Sequence, residues 1–149
     1  MNESEEIGFG RPWSERTFTD SGRLSAAWHE PNRVGAGELF VGVAEENVVG
    51  YVTVEDRGEA LELNTIEVAG DYQGRGFGRA LVLFVEDRAR RQGKRAVTLG
   101  TSRNANGVPW KSLPWWQARG YRIVIEEENE WTRSIGPGVR EIRMRKELV

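Results

Sequence analysis

From residue 39 onward the apolar positions fall into two rhythms. Residues 39–44 (LFVGVA), 48–55 (VVGYVTVE) and 60–68 (ALELNTIEV) are runs rich in strand formers. Glu45-Glu46-Asn47 separates the first two runs. Asp56-Arg57-Gly58 separates the next two and is a turn signal, because its glycine tolerates positive φ. Three strands joined this tightly predict an antiparallel meander. The period then changes. Ala80, Leu81, Phe84, Val85 and Ala89 follow i, i+1, i+4, i+5, i+9, which is one face of a helix. Residues 86–92 are mostly charged and read as solvated. Gly93 stands at the C-cap position, and Arg88, Arg90, Arg91 and Lys94 suit the negative end of the helix dipole. Residues 96–99 predict a fourth strand. Because it follows a strand and a helix, it should lie parallel to 60–68 through a right-handed crossover.

A polar loop is expected over residues 100–107. Pro109 is expected to open a second helix that runs to Arg119, bent or restarted at Pro114. Residues 121–126 predict a strand, and 127–138 an acidic loop with glycine and proline. Residues 139–146 (VREIRMRK) alternate apolar and charged, which predicts a half-exposed closing strand with a free edge. Before residue 39 the pattern is weak. Residues 1–15 read as a loose polar arm, 16–19 as a short strand, 24–29 as a short helix stopped by Pro31, and 34–37 as a loop. No repeat or composition break divides the chain, so one domain is expected over residues 1–149. The fold class is α/β (α+β): a mixed sheet in which a meander leads into a parallel β-α-β unit, closed by a C-terminal antiparallel strand.

Composition narrows the function classes. The chain has 149 residues, 21 basic and 23 acidic, for a net charge of −2. That balance gives no global attraction to nucleic acid. No apolar run reaches the length of a membrane span, and the acidic, polar first ten residues do not resemble a signal peptide. A cytoplasmic protein is the resulting expectation. The absence of cysteine excludes disulfides, thiolate metal sites and a cysteine nucleophile. His29 is the sole histidine, so no metal site is expected and His29 itself reads as structural. There are six tryptophans, and Trp110, Trp115 and Trp116 crowd into one short segment.

The segment carrying the most chemistry is Gln73-Gly74-Arg75-Gly76-Phe77-Gly78-Arg79, between a strand and a helix. Glycines at alternate positions let backbone N–H groups approach a ligand, and the helix start adds unpaired N–H groups and a positive dipole end. Together they describe a pyrophosphate cradle. The competing reading is a turn that only packs strand against helix. A P-loop would end in G-K-[ST], and the dinucleotide fingerprint would read G-x-G-x-x-G; neither fits. Gln73, Gly76 and Gly78 do match Q/R-x-x-G-x-G/A, the signature of the GNAT acetyltransferases.

The chain resembles that superfamily over residues 39–148. Trp115-Trp116-Gln117-Ala118-Arg119-Gly120-Tyr121 is similar to the family's F-Y-x-x-x-G-F stretch, and the tail from Arg143 to Leu148 is similar to its final strand. The resemblance implies acetyl-CoA as co-substrate, lying where the two central parallel strands splay apart. It implies that backbone groups of Ile66 and Val68 hold the pantetheine arm. The amides of Gln73, Gly74, Arg75, Gly76, Phe77, Gly78 and Arg79 would hold the pyrophosphate. Many members carry an asparagine before F-Y; Pro109 occupies that place here, with Asn104 and Asn106 nearby, and Asn104 is taken as the candidate.

Family chemistry is direct attack of an amine on the thioester, which needs a base and benefits from an acid. Glu62 lies eleven residues before Gln73, the spacing of the glutamate base in histone-type members. It should share a strand face with Asn64, and burial should raise its pKa. Glu67 is the second choice. The family's tyrosine beside the sulfur is replaced by Trp116, whose indole donates a hydrogen bond but gives up no proton. Tyr51 or Ser112 are the substitutes considered. The tryptophans suggest an aromatic acceptor pocket, with at least one of them expected in the core. Glu126, Glu127, Glu128 and Glu130 read mainly as a solvated loop, and Arg88 to Arg95 mainly as helix-end solvation rather than a 3′-phosphate site. The expected function is N-acetyl transfer to a small cationic amine. A protein or peptide amine, or a non-catalytic acyl-CoA-binding module, are the alternatives. A homodimer through the closing strand is a further expectation.

Overall fold

The computed structural model describes residues 17–18, 37–44 and 47–148. The expected arm over 1–15, the helix over 24–29, the loop at 34–36 and His29 lie outside them. Among the described residues seven strands form one mixed sheet: β1 (Thr17–Phe18), β2 (Glu38–Ala44), β3 (Asn47–Asp56), β4 (Ala60–Val68), β5 (Ala96–Arg103), β6 (Arg122–Glu127) and β7 (Arg140–Glu147). Their order is β1-β3-β4-β5-β7-β6, with β2 also paired to β3. Among the described residues three α-helices accompany them: α1 (Phe77–Arg91), α2 (Leu113–Ala118) and α3 (Glu130–Ile135). None is long and apolar enough to cross a membrane.

The predicted meander is present: β2, β3 and β4 pair antiparallel in sequence. Gly58, at φ +84, turns β3 into β4, and its N–H donates to Asp56 Oδ1 at 2.8 Å. The crossover through α1 makes β5 parallel to β4, as the change of period implied. Helix α1 buries Ala80, Leu81, Val82, Val85 and Ala89, which meet Val52, Val54, Leu61, Leu63, Val97, Leu99, Ile142 and Met144 of the sheet. Each fully buried aliphatic side chain of this kind contributes about 2 kcal/mol.

Five expectations change. First, β7 is not an edge. It lies between β5 and β6 and pairs with both, so the edge falls to β6 and the closing strand offers no edge for a homodimer. Second, the loop expected over 100–107 is partly strand, because β7 holds β5 as far as Arg103↔Arg140. Third, Pro109 opens no helix. It bridges Arg103, and α2 starts at Leu113 with Pro114 in its first turn, where a missing N–H costs nothing. Fourth, the expected loop at 127–138 contains α3. Asn129 and Thr132 cap it reciprocally, each side chain accepting the other's backbone N–H. Fifth, Glu86 is buried rather than solvated. Lys146 on β7 reaches it at 3.0 Å, and the Tyr121 hydroxyl donates to it at 2.8 Å. Burial and the Glu86 charge push the Tyr121 hydroxyl far above its ordinary value, so it stays a proton donor.

Gly50 fixes how β3 meets β4. A Cβ there would lie 2.6 Å from the backbone oxygen of Glu67 and 3.2 Å from Leu81. Gly50→Ala should therefore destabilise the protein by about 2 kcal/mol in urea denaturation. An unchanged midpoint would mean that β4 shifts freely at Glu67.

Candidate active site

The two central parallel strands stay together only briefly. They pair from Ala60↔Ala96 to Leu63↔Leu99 and no further. Beyond that point β5 follows β7, and β4 follows β3. A bulge sits at the parting. Thr53 pairs with Thr65 and Val54 with Leu63, which leaves Asn64 as the extra residue on β4. Bulges bend a strand and increase its twist, which carries β4 away from β5. The bulge also breaks the alternation from which Glu62 and Asn64 were expected to share a face: Glu62 is buried and Asn64 exposed. Ile66 and Val68 pack against the core instead.

A cleft of about 890 Å³ lies beyond the fork. Ile66, Glu67 and Val68 of β4 form one wall. Gln73, Gly74, Gly76, Gly78 and Arg79 continue it. Trp110, Lys111, Ser112, Trp115, Trp116 and Arg119 form the other. The glycine segment is held in place at both ends. The Gln73 side-chain amide donates to the Val68 carbonyl at 3.0 Å. Arg75 stacks over the rings of Tyr72 and Phe77 at 4.8 and 5.5 Å, so these residues pack together while the alternate glycines line the cleft. Gly74 and Gly76 have φ of +77 and +91, which side-chain-bearing residues rarely adopt. Gly76 is the N-cap of α1. It offers no side-chain acceptor, and no acidic residue stands in the first turn. The first N–H groups of α1 and its dipole thus lack a side-chain counter-charge, the arrangement that receives an anion.

On the opposite wall Trp116 is core, as expected of at least one tryptophan. Its ring meets Trp115 edge-on at 4.8 Å and Tyr121 at 5.3 Å. Trp110 is 58% exposed and faces the cleft. Ser112 starts α2 without making a side-chain cap. Lys111 and Arg119 line the cleft although no motif position marked them. The one signal for Arg119 was its place four residues after Trp115, on whose ring it lies at 3.8 Å. Asn104 stands outside the cleft lining. Its side-chain oxygen accepts the N–H groups of Asn106 and Val108 at 2.9 and 3.0 Å and shapes the turn after β5.

Glu62 sits at the base of the fork, and its surroundings reverse the expected pKa shift. Burial pushes its carboxyl up. Arg143, bonded through both terminal nitrogens, and the Thr98 hydroxyl at 2.5 Å outweigh that and hold it below its ordinary value. Glu62 is therefore a firmly ionised carboxylate and a weak base. The acidic run is also not wholly solvated: Glu126 receives two bonds from Arg103, at 2.9 and 3.2 Å.

The family model described as "Acetyltransferase (GNAT) family" matches residues 1–108, which include the fork and the whole glycine turn. The chain belongs to the GNAT acetyltransferase family. An uncharacterized N-acetyltransferase of Bacillus subtilis strain 168, YvbK, is 30% identical over 98 residues, which is 65% of this chain and 61% of that protein. The matched part thus spans about three fifths of that relative's length. Among solved structures, a GNAT family acetyltransferase from Elizabethkingia anophelis with acetyl-CoA bound superposes with a TM-score of 0.67 at 22% identity, covering 86% of this chain and 84% of that one. A Bacillus subtilis acetyltransferase in complex with CoA superposes with a TM-score of 0.66 at 19% identity, covering 95% and 97%. As a GNAT protein, the chain keeps Gln73, Gly76 and Gly78 of the signature on its cleft. A Cβ at Gly78 would make only ordinary contacts with Val68 and Trp115, which agrees with a position that accepts alanine.

The Glu62 environment predicts a pH effect. Its folded pKa lies below the ordinary 4.5, so its contribution is present above about pH 4.5 and is lost as pH falls toward the folded value. Asp56, Glu59, Glu126 and Glu147 are lowered too and share this acid limb. Urea denaturation between pH 3 and 6 should therefore show a shallower acid loss of stability for Glu62→Gln than for wild type. Equal slopes would mean that Glu62 titrates normally.

Proposed function

We propose that this protein is an acetyl-CoA-dependent N-acetyltransferase whose acceptor is a small cationic amine. One observation carries the reading: an uncapped helix start with left-handed glycines opens onto the fork between β4 and β5. What supports acetyl-CoA is the size of the cleft and the anion-receptive turn on it. The cleft is lined both by the anion-receptive turn and by the half-buried end of β4. Amides of residues 74–79 would hold the diphosphate, and backbone groups of Ile66 and Val68 the pantetheine arm. Bound there, acetyl-CoA supplies an acetyl group activated as a thioester, which a neutral amine attacks directly.

The chain's own residues divide the remaining work. Glu67 is the carboxylate on the cleft wall, and Trp110 presents an exposed aromatic face to the same space. A carboxylate and an aromatic face together favour a cationic amine. Because Glu62 is held ionised by Arg143, its role in this reading is to tie β4, β5 and β7 together at the base of the fork. The acceptor's proton then passes to Glu67 or to water. Trp116 is buried and cannot give up a proton, so its part is to shape the sulfur end of the cleft. Ser112, one helical turn earlier on the cleft wall, is the hydroxyl that donates a hydrogen bond to the departing thiolate.

Thiol release from acetyl-CoA, followed across a panel of small amines and peptides, tests this. Turnover is expected with small di- and polyamines. Ser112→Ala should lower kcat by about tenfold or more, and Glu67→Gln should lower kcat/KM most for cationic acceptors. Binding of acetyl-CoA with no thiol release for any amine would instead support an acyl-CoA-binding module. Turnover on peptides alone would move the acceptor to a protein amine.

A further inference from the structure

The sheet has two faces, and the cleft lies on one of them. Leu61, Leu63, Val97, Leu99, Ile142 and Met144 belong to the core that α1 covers. Residues of α1 and α2 line the cleft, so the cleft is on that side too. Strand alternation sends Glu62, Thr98, Gly100, Glu141 and Arg143 to the opposite face. Their contacts agree: Glu62 takes bonds from Thr98 and Arg143, and Arg143 Nη1 also lies 3.5 Å from Glu141 Oε2. The Asn64 bulge reverses the alternation on β4. With Ile66 and Val68 turned to the core, Glu67 therefore stands on the opposite face as well.

Gly100 is the first residue of β5 past the last rung with β4. It sits inside the strand, paired with Arg143, and lacks the positive φ of the turn glycines. A side chain there would lack room: its Cβ would fall on Glu141 Oε2 and lie 3.0 Å from Arg143 Nη1. The Glu141 carboxylate thus lies over Gly100, where the strands part. Its Oε1 accepts from the Asn129 side-chain amide at 2.8 Å. Among the described residues its Oε2 meets only Arg143 Nη1, at 3.5 Å, and both terminal nitrogens of that arginine already bond to Glu62. By contrast Glu126 and Glu147 each take two bonds from one arginine. Glu141 Oε2 therefore keeps capacity to accept a hydrogen bond, on a side chain that is 17% exposed.

An acceptor has to reach the thioester carbon while the co-substrate occupies the α1 side. The opposite face is the approach that leaves the co-substrate in place. Glu67 on β4 and Glu141 over Gly100 flank that approach. Counted from the rung Leu63↔Leu99, and allowing for the bulge, Glu67 and Gly100 stand roughly 7–10 Å apart along the strands. A diamine with a few carbons between its nitrogens spans that distance. We propose that Glu141 is the residue that selects for a second positive charge on the acceptor: its Oε2 takes the distal ammonium of a diamine whose near amine attacks the thioester beside Glu67. The near amine gives up its proton to Glu67 or to water. The distal ammonium keeps its charge and is left unchanged by the reaction. This inference rests on the cationic-amine reading of the acceptor.

Rates of thiol release from acetyl-CoA, with a linear diamine and with the amino alcohol of equal chain length, test it, because the two acceptors differ only at the distal group. Wild type should prefer the diamine by about tenfold or more in kcat/KM, the size expected of a charge-assisted contact. Glu141→Gln keeps an oxygen for Asn129 and should bring the preference close to one by raising KM for the diamine. Its KM for acetyl-CoA and its rate on the amino alcohol should match wild type. Asn129→Ala unties the start of α3 but leaves Oε2 in place, and it should keep the preference. A Glu141→Gln variant that retains the wild-type preference, or that loses rate equally on both acceptors, would overturn the proposal. So would an Asn129→Ala variant that loses the preference to the same extent, which makes Glu141 a tether for α3. Wild type that acetylates the amino alcohol as well as the diamine would overturn it too. No thiol release by wild type with either acceptor would overturn the cationic-amine reading itself, and this inference with it.

Discussion

The rest of the structure depends on a parallel strand pair that is allowed to come apart. Strands β4 and β5 share four rungs, from Ala60↔Ala96 to Leu63↔Leu99. Past them, each is held by its other neighbour. The Asn64 bulge turns β4 along β3, while β7 stays paired with β5 to its last residue. A polar clip sits at the point of parting. Glu62 on β4 takes bonds from Thr98 on β5 and Arg143 on β7, so three strands are fixed just before two of them diverge. An ion pair whose carboxylate is buried is worth little as net stability, but it is costly to break, and so it sets geometry.

The fork leaves β4 backbone groups without a strand partner on the cleft side, and α1 begins beside them without a cap. Both are deficits that a folded protein usually avoids. They lie on one continuous cleft, and both would be met by one extended ligand with amide groups at one end and a diphosphate at the other. The tryptophan-bearing segment closes the opposite side. Trp116 anchors it in the core, Trp115 holds Arg119 on its ring at the cleft, and Trp110 is left exposed to the cleft.

Local signals made most of this legible in the sequence. The meander, the period change into α1, the Gly93 stop and the glycine turn each follow from a few adjacent residues, and each is present. What was hidden depends on distant partners. Residues 139–146 read as an edge because nothing in their own alternation shows that β6 will pair beyond them. Glu86 read as solvated because Lys146 and Tyr121, which satisfy it, lie far along the chain. Glu62 stands outside the cleft lining, and its lowered pKa is hidden from the sequence because Arg143 reaches it from the far side of β5. The helix at residues 130–135 is hard to see in the sequence although Asn129 and Thr132 spell its cap, since the acidic residues around it mask a weak apolar pattern. Lys111 and Arg119 reach the cleft only through the packing of α2, which no motif describes.

The central claim is that one ligand satisfies both the open edge of β4 and the uncapped start of α1. Backbone hydrogen exchange with and without acetyl-CoA tests it most directly. The account predicts slowed exchange at residues 66–68 and 74–79 together, with β2 and the far half of β3 unchanged. Unchanged exchange at 74–79 in the presence of saturating acetyl-CoA, or protection confined to residues away from the fork, would contradict it.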